Sequence, residues 1–401
     1  MKELNKHRLT IIPKYGDYYY PDSKTFEDDK GKIVYYGQQN DFPSSIIELY
    51  NKSSINATCV NAIRDGIVGG GLTTENEEVL NIANRDGESW NDVFKKVALD
   101  RSLFGGFALE VIWSKDRTKV TDVYHIDFSY LRAHRMNERG IIPGYYVSSE
   151  FQNKGRLRVK DDDVAFLPRF NKLDRAIPSQ IYYFNPYRPG LKYYPLPDYV
   201  AGLHIIGLDA EIDNFHMNNI KNGLAPSLSI TTFTDADNEE RETIERQLRA
   251  AYAGSDNAGS LIYMDVANKD EAPIITPIPQ NGADGYYTTV NDMVVQKILT
   301  SHRIVSPMLL GIKTEGQLGG RTEMLESQAL FLKNVIEPKQ SDILTVFEEI
   351  FSINGYTEAI GVEQVRIFED GEETEVVTSI DADAGDDTDL ENNIENEEGI
   401  V

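Results

Sequence analysis

Residues 197–223 read PDYVAGLHIIGLDAEIDNFHMNNIKNG. Asp198 opens a long helix and Gly223 closes it, with apolar positions at Val200, Leu203, Ile206, Leu208, Ile212, Phe215 and Ile220. Polar residues fill the rest of the surface, so part of the helix has to face water or another chain. Four prolines, Pro186, Pro189, Pro195 and Pro197, punctuate the boundary in front of it.

Downstream, a strand is expected at Ser227–Thr232, a polar helix at Asn238–Tyr252 and a second strand at Gly259–Asp265. Another long helix follows over Asp284–Arg303, and Pro307 breaks it. A glycine-rich run, Gly311–Gly320, leads to a last long helix over Thr322–Phe351, which Pro338 should kink or split. Upstream, helical spacing runs from Pro43 through Ile46, Ile47, Leu49, Tyr50, Ile55, Val60, Ile63 and Ile67 to a stop at Gly69–Gly71. Ser89 caps a second helix whose apolar face is Trp90, Val93, Phe94, Val97, Ala98, Leu99 and Leu103. Strands are expected at Phe107–Trp113, Val120–Ile126, Gly144–Ser148 and Val164–Leu167. The fold class is therefore α+β. The tyrosine-rich residues 1–40 read as an extended arm or short hairpin that packs on a neighbour.

The chain has 401 residues and a net charge of -25. Fourteen carboxylates fall in Glu369–Val401, and no Lys or Arg follows Arg366. That end reads as a disordered acidic tail, and Ile360–Phe368 as a strand in front of it. A protein that grips phosphate is normally basic, so tight nucleic-acid binding is disfavoured. Weak or repulsive walls suit a conduit, although an ordinary soluble protein has the same composition. The one cysteine, Cys59, excludes an internal disulfide and fits a reducing, intracellular setting. No apolar run is long enough for a membrane span, and MKELNKHRLTIIPKYGD lacks the pattern of a signal peptide.

Signatures of catalysis are missing, so no catalytic, cofactor or metal residues are assigned. No glycine-rich stretch ends in Gly-Lys-Ser/Thr, and no HExxH pair occurs. Ser301 and His302 are neighbours on a helix, where side chains diverge. Asp161, Asp162 and Asp163 read as a solvated turn rather than a cation site. Asp209 and Asp213 share a helix face, where like charges repel unless a wet channel wall or a basic partner offsets them; a plain exposed face is the alternative.

Three stretches resemble the portal protein family of tailed bacteriophages, in its shorter type. They are Pro43-Ser44-Ser45-Ile46-Ile47-Glu48-Leu49-Tyr50 with Val60-Asn61-Ala62-Ile63 and the Gly69–Gly71 stop; Pro197-Asp198 through Asn222-Gly223-Leu224-Ala225-Pro226-Ser227; and Ile304-Val305-Ser306-Pro307-Met308-Leu309-Leu310-Gly311 with Arg321-Thr322-Glu323. Ser306 stands where a first proline is common in that family. The likeness covers about residues 40–350.

The resemblance implies a portal-like α+β subunit. Its parts are an N-terminal arm (1–40), an α/β wing (41–197), stem helices at 198–223 and 284–303, a strand-helix-strand clip (224–283), a tunnel loop with a kinked long helix (304–353), and a largely disordered acidic tail (354–401). The crown is reduced or absent. It implies a homo-oligomeric ring of twelve copies at a unique capsid vertex, a channel for packaging and ejection of double-stranded DNA bound without sequence preference. It also implies partners: large terminase, neck or adaptor proteins and the major capsid protein. It further implies no membrane, no cofactor and no enzymatic activity, with the ring assembled in the host cytoplasm for the virion. The implied positions are Lys313, Gln317, Gly319, Gly320 and Arg321 on the tunnel loop, Asp209 and Asp213 on the stem channel face, and Asp235, Glu239, Arg241 and Glu242 on the clip docking surface. Another non-enzymatic virion protein, a connector or capsid subunit, is the second reading, and a metal-dependent nucleic-acid hydrolase the third.

Overall fold

The computed structural model describes residues 32–37, 39–152, 164–221, 228–232, 242–243, 261–265, 283–311 and 321–364. Residues 1–31 of the arm, the Asp161–Asp163 turn, most of the polar helix at 238–252, the glycine-rich run from 312 to 320 and the tail from 365 onward lie outside the described residues.

The helical pattern from Pro43 is two helices, α1 (Phe42–Lys52) and α2 (Ser54–Val68). Ser53 divides them: its backbone is extended and its Oγ accepts from the Asn56 N–H, capping α2. The stop at Gly69–Gly71 is present, with φ of +51° at Gly69 and +110° at Gly71. These glycines also bring the backbone close to the far end of the chain. Gly70 N donates to Glu363 O (2.7 Å), and β1 (Leu72–Thr73) pairs antiparallel with β10 (Gly361–Val362). The chain after Ile353 is thus ordered as far as this strand, with Ile360 buried, so the boundary set at 354 is too early.

Ser89 caps α3 (Trp90–Leu103) as expected, in a capping box completed by the Asp92 carboxylate. Strands β2 (Phe107–Trp113) and β3 (Val120–Ile126) match their expected bounds. The first sheet has the order β3-β2-β7, antiparallel throughout, with β7 at Ser179–Phe184. A second antiparallel sheet, β4-β5-β6, is built from Leu131–Ala133, Gly144–Val147 and Ala165–Pro168. Beyond Pro197 come α4 (Leu203–Lys221), the parallel pair β8 (Leu228–Thr232) and β9 (Leu261–Asp265), and α5 (Ala283–Ser301).

The last helix does break near Pro338. It runs as α6 (Arg321–Phe331), a π-helical stretch at Leu332–Ile336, and α7 (Glu337–Ile353). Proline has no N–H, and its ring collides with the carbonyl four residues earlier, so the regular ladder cannot pass through; a widened turn absorbs the mismatch. The core gathers around α3. Trp90 packs on Phe347 and Phe351 of α7 at centroid distances of 5.1 and 4.5 Å, and Phe94 also meets Phe347.

The end of the N-terminal arm does not wait for a neighbour. Val34 and Tyr36 are buried in the core of their own chain. Tyr36 stacks on Tyr194 at 4.1 Å and donates to Pro195 O at 2.5 Å. Aromatic rings of this size bury enough surface to fix an extended segment without a sheet of its own.

Candidate functional site

The long helix of residues 197–223 meets its expected partner. The start of α4 and the end of α5 are sunk in the core through Leu203, Ile206 and Ala210 on one side and Val294, Ile298 and Leu299 on the other. Gly202 permits the approach, since a Cβ there would lie 2.3 Å from Ser301 Oγ. Away from this root the pair leaves the core. Glu211, Asp213, Asn214 and Met217 on α4, and Asn291, Asp292 and Met293 on α5, are exposed. Two apolar side chains in water on adjacent helices, Met217 (52% exposed) and Met293 (43%), leave this surface unfinished within one chain.

Two polar clusters, one charged and one neutral, hold the root, and neither is legible in the sequence. Arg101 of α3 donates from Nε and Nη2 to Asp342 Oδ2 of α7 at 3.1 and 3.0 Å, and its Nη1 stands 3.5 Å from Asp198 Oδ2. Lys339 of α7 donates to the same Asp198 oxygen. Burial pushes the Asp198 carboxyl up, but Lys339 and Arg101 outweigh it and hold it below the usual carboxylate range. Lys339 is also lowered, because its ammonium is nearly fully buried beside Arg101 while Asp198 keeps half its surface in water. The quartet ties the entry of the projecting pair to the helix after the π stretch.

Next to it, His302 ends α5, stacks on Tyr199 at 4.3 Å and places Nε2 2.9 Å from Asn56 Oδ1. A neutral imidazole and a neutral amide share one hydrogen bond here. Burial, and then the Lys339 charge, lower the imidazole to about 3, against the pull of Asp198. The neutral ring is therefore the form that fits, and its stabilisation is complete above the ordinary histidine range and lost as pH falls through it. Between pH 7 and pH 5 the native chain should lose ~2 kcal/mol from this group alone. Urea unfolding of the wild type and of His302→Gln at both pH values measures the difference; an equal pH slope in the two would contradict the assignment.

Among the implied positions, Asp209 needs correction as a channel-face residue. It is buried, and Ser53 Oγ donates to its Oδ2 at 2.7 Å. Burial raises its carboxyl, Ser53 opposes, and Asp213 one turn on adds to the rise. The shared helix face is real, but at Asp209 it still lies against the α1–α2 junction, whereas Asp213 has cleared it and is exposed. Glu242 is exposed, and Arg321 opens α6. Lys313, Gln317, Gly319, Gly320, Asp235, Glu239 and Arg241 lie outside the described residues.

The sequence matches no protein-family model and no curated protein. Solved structures do match in fold. A chain in the virion of a native gene transfer agent particle superposes with a TM-score of 0.56 at 12% identity, over 84% of this chain and 87% of that one. A chain in the neck of the native particle, with C12 symmetry, gives 0.52 at 13% identity, over 86% and 87%. This chain has the fold of a gene transfer agent neck chain. An HK97-family phage portal protein from Corynebacterium diphtheriae also matches, at 8% identity over 79% and 94% of the two chains, with a TM-score of 0.44. No helix among the described residues is long and apolar enough to cross a membrane.

Proposed function

We propose that this chain is the portal subunit of a tailed-phage-like particle, a structural protein without chemistry of its own. Copies form a ring at one capsid vertex, through which double-stranded DNA is packaged and later ejected. The observation that carries this reading is the helix pair α4 and α5, rooted in the core at one end and exposed beyond it at Asp213, Met217, Asp292 and Met293. A single chain gains nothing from extending two half-covered helices into water; side-by-side copies bury their remaining faces.

In this reading residues 41–197 form the wing, the helix pair the stem, and residues 224–283 the clip. β8 and β9 support the last assignment: a two-stranded parallel sheet is marginal alone, and strands from adjacent copies complete it. Asp235, Glu239, Arg241 and Glu242 would then offer a docking surface to terminase and to neck or adaptor proteins. Asp213 faces the channel, and its charge keeps DNA from sticking. Lys313, Gln317, Gly319, Gly320 and Arg321 form the loop that touches phosphate in passing, and the major capsid protein surrounds the wing. Twelve copies follow from the sequence resemblance and agree with the C12 symmetry of the similar neck.

Sedimentation of the purified full chain tests the reading. Twelve copies of a 45.2 kDa subunit give a species of about 540 kDa. A chain that sediments at 45.2 kDa at every concentration and salt would overturn it.

A further inference from the structure

The first sheet has two edge strands, β3 and β7, and the loops fastened to them are of opposite character. Along β3 runs the segment 75–88. It is fastened to the strand by Val123 N to Ala83 O and Arg85 N to Asp122 Oδ1, both 2.8 Å. The segment holds Glu75, Glu77, Glu78, Asp86 and Glu88 against one cation, Arg85, whose guanidinium is taken up by Asp122 at 2.6 Å. In its middle Ile82 stands 69% exposed.

Along β7 runs the segment 169–178, fastened by Phe170 N to Ile181 O at 2.7 Å. The β2–β3 turn joins it, because Arg175 donates to Arg117 O and Thr118 O at 3.0 and 3.1 Å and lies over the Trp113 ring at 4.4 Å. This corner holds Lys115, Arg117, Lys119, Lys172 and Arg175 against Asp116 and Asp174. Lys172 reaches Glu349 at 3.4 Å. At the tip Leu173 is 90% exposed, with the half-exposed Ile177 four residues on. A positive corner stands out in a chain of net charge -25.

We infer that these two sides bind each other between adjacent copies of this chain, the Leu173 corner of one copy against the Ile82 side of the next. The inference rests on the ring reading and gives it a second, specific contact beside the helix pair. Each side has what the other lacks: opposite charge around one apolar side chain in water. A contact of like sides would set carboxylate on carboxylate or cation on cation. A contact between the two opposite edges of one sheet runs head to tail, and head-to-tail contacts close into rings. A nucleic acid would need the cations but leaves Leu173 and Ile82 without a role.

The test uses two full-length variants. K115E/K119E/K172E makes both sides acidic, and E75K/E77K/E78K makes both sides basic. Each alone should form rings at least roughly tenfold less than the wild type at equal concentration, by sedimentation, with an unchanged circular dichroism spectrum. An equimolar mixture should restore rings in which the two variants alternate. Leu173→Asp, at a side chain outside the core, should weaken assembly in the same way and keeps the test open if a triple variant fails to fold. Variants that form rings as well as the wild type overturn the contact, as does a mixture that stays dissociated. Loss of DNA binding by the K115E/K119E/K172E variant, with its rings intact, overturns it in favour of nucleic acid. A wild type that forms no ring fails the portal reading itself, so the two failures are distinct.

Discussion

Replacing Arg132 with methionine should lower the unfolding free energy by about 3–5 kcal/mol, the largest effect expected of any single polar residue here. The guanidinium is completely buried in the second sheet. It has no carboxylate at hydrogen-bond distance among the described residues, and donates instead to backbone: Leu131 O at 2.7 Å, Ser129 O and Asn40 O at 2.9 Å, and Phe151 O at 3.3 Å. Nε donates to the Asn40 side chain, and the cation lies 4.9 Å from the Phe151 ring centre. Burial lowers its pKa, yet a guanidinium stays charged under any ordinary condition. Methionine fills much of the volume but leaves four carbonyl oxygens facing an apolar group, each costing roughly 1–3 kcal/mol less whatever water recovers. Lysine supplies one charge and not the planar fork, so Arg132→Lys should lose more than ~2 kcal/mol. The midpoint of urea unfolding measures both; a shift below ~1 kcal/mol for methionine would show that the fork is dispensable.

Phe347→Ala should cost a similar ~3–5 kcal/mol by a different route. Phe347 is fully buried on α7, between Trp90 and Phe94 of α3. Truncation removes the contact surface of two rings and leaves a cavity that α3, held by Ser89 at one end and Arg101 near the other, cannot close. Because α7 is docked on α3 mainly by these aromatics and the Arg101–Asp342 pair, amide exchange in Glu337–Ile353 should rise far more than exchange in β2. Uniform acceleration across both would mean that α7 is no separate unit of the fold.

Local pattern made much of this fold readable. β2 and β3 are short runs rich in apolar and β-branched residues between turn residues, and their bounds coincide with the expected ones. Ser89 announces a helix because a hydroxyl before an apolar face has one obvious use. Ser53 was passed over, since the apolar period runs through it and only the cap geometry reveals the break. β7 escaped notice between Pro178 and Pro186, its inward-facing Gln180 spoiling the alternation. Asp209 and Asp213 share one face of α4, but spacing cannot say where a helix leaves the core, so it does not distinguish the buried Asp209 from the exposed Asp213. The Arg101–Asp342 pair and the Tyr36–Tyr194 stack were beyond reach, because contacts across 241 and 158 residues leave no trace in a local window.

Electron microscopy of the purified full chain decides most directly whether the α4–α5 pairs of many copies stand around a common axis. End-on views should show a closed ring with an open centre, and side views a narrower extension made of paired helices below a broad rim. Single particles of one subunit, or rings whose centre is filled and whose α4–α5 pairs point outward, would contradict the conduit.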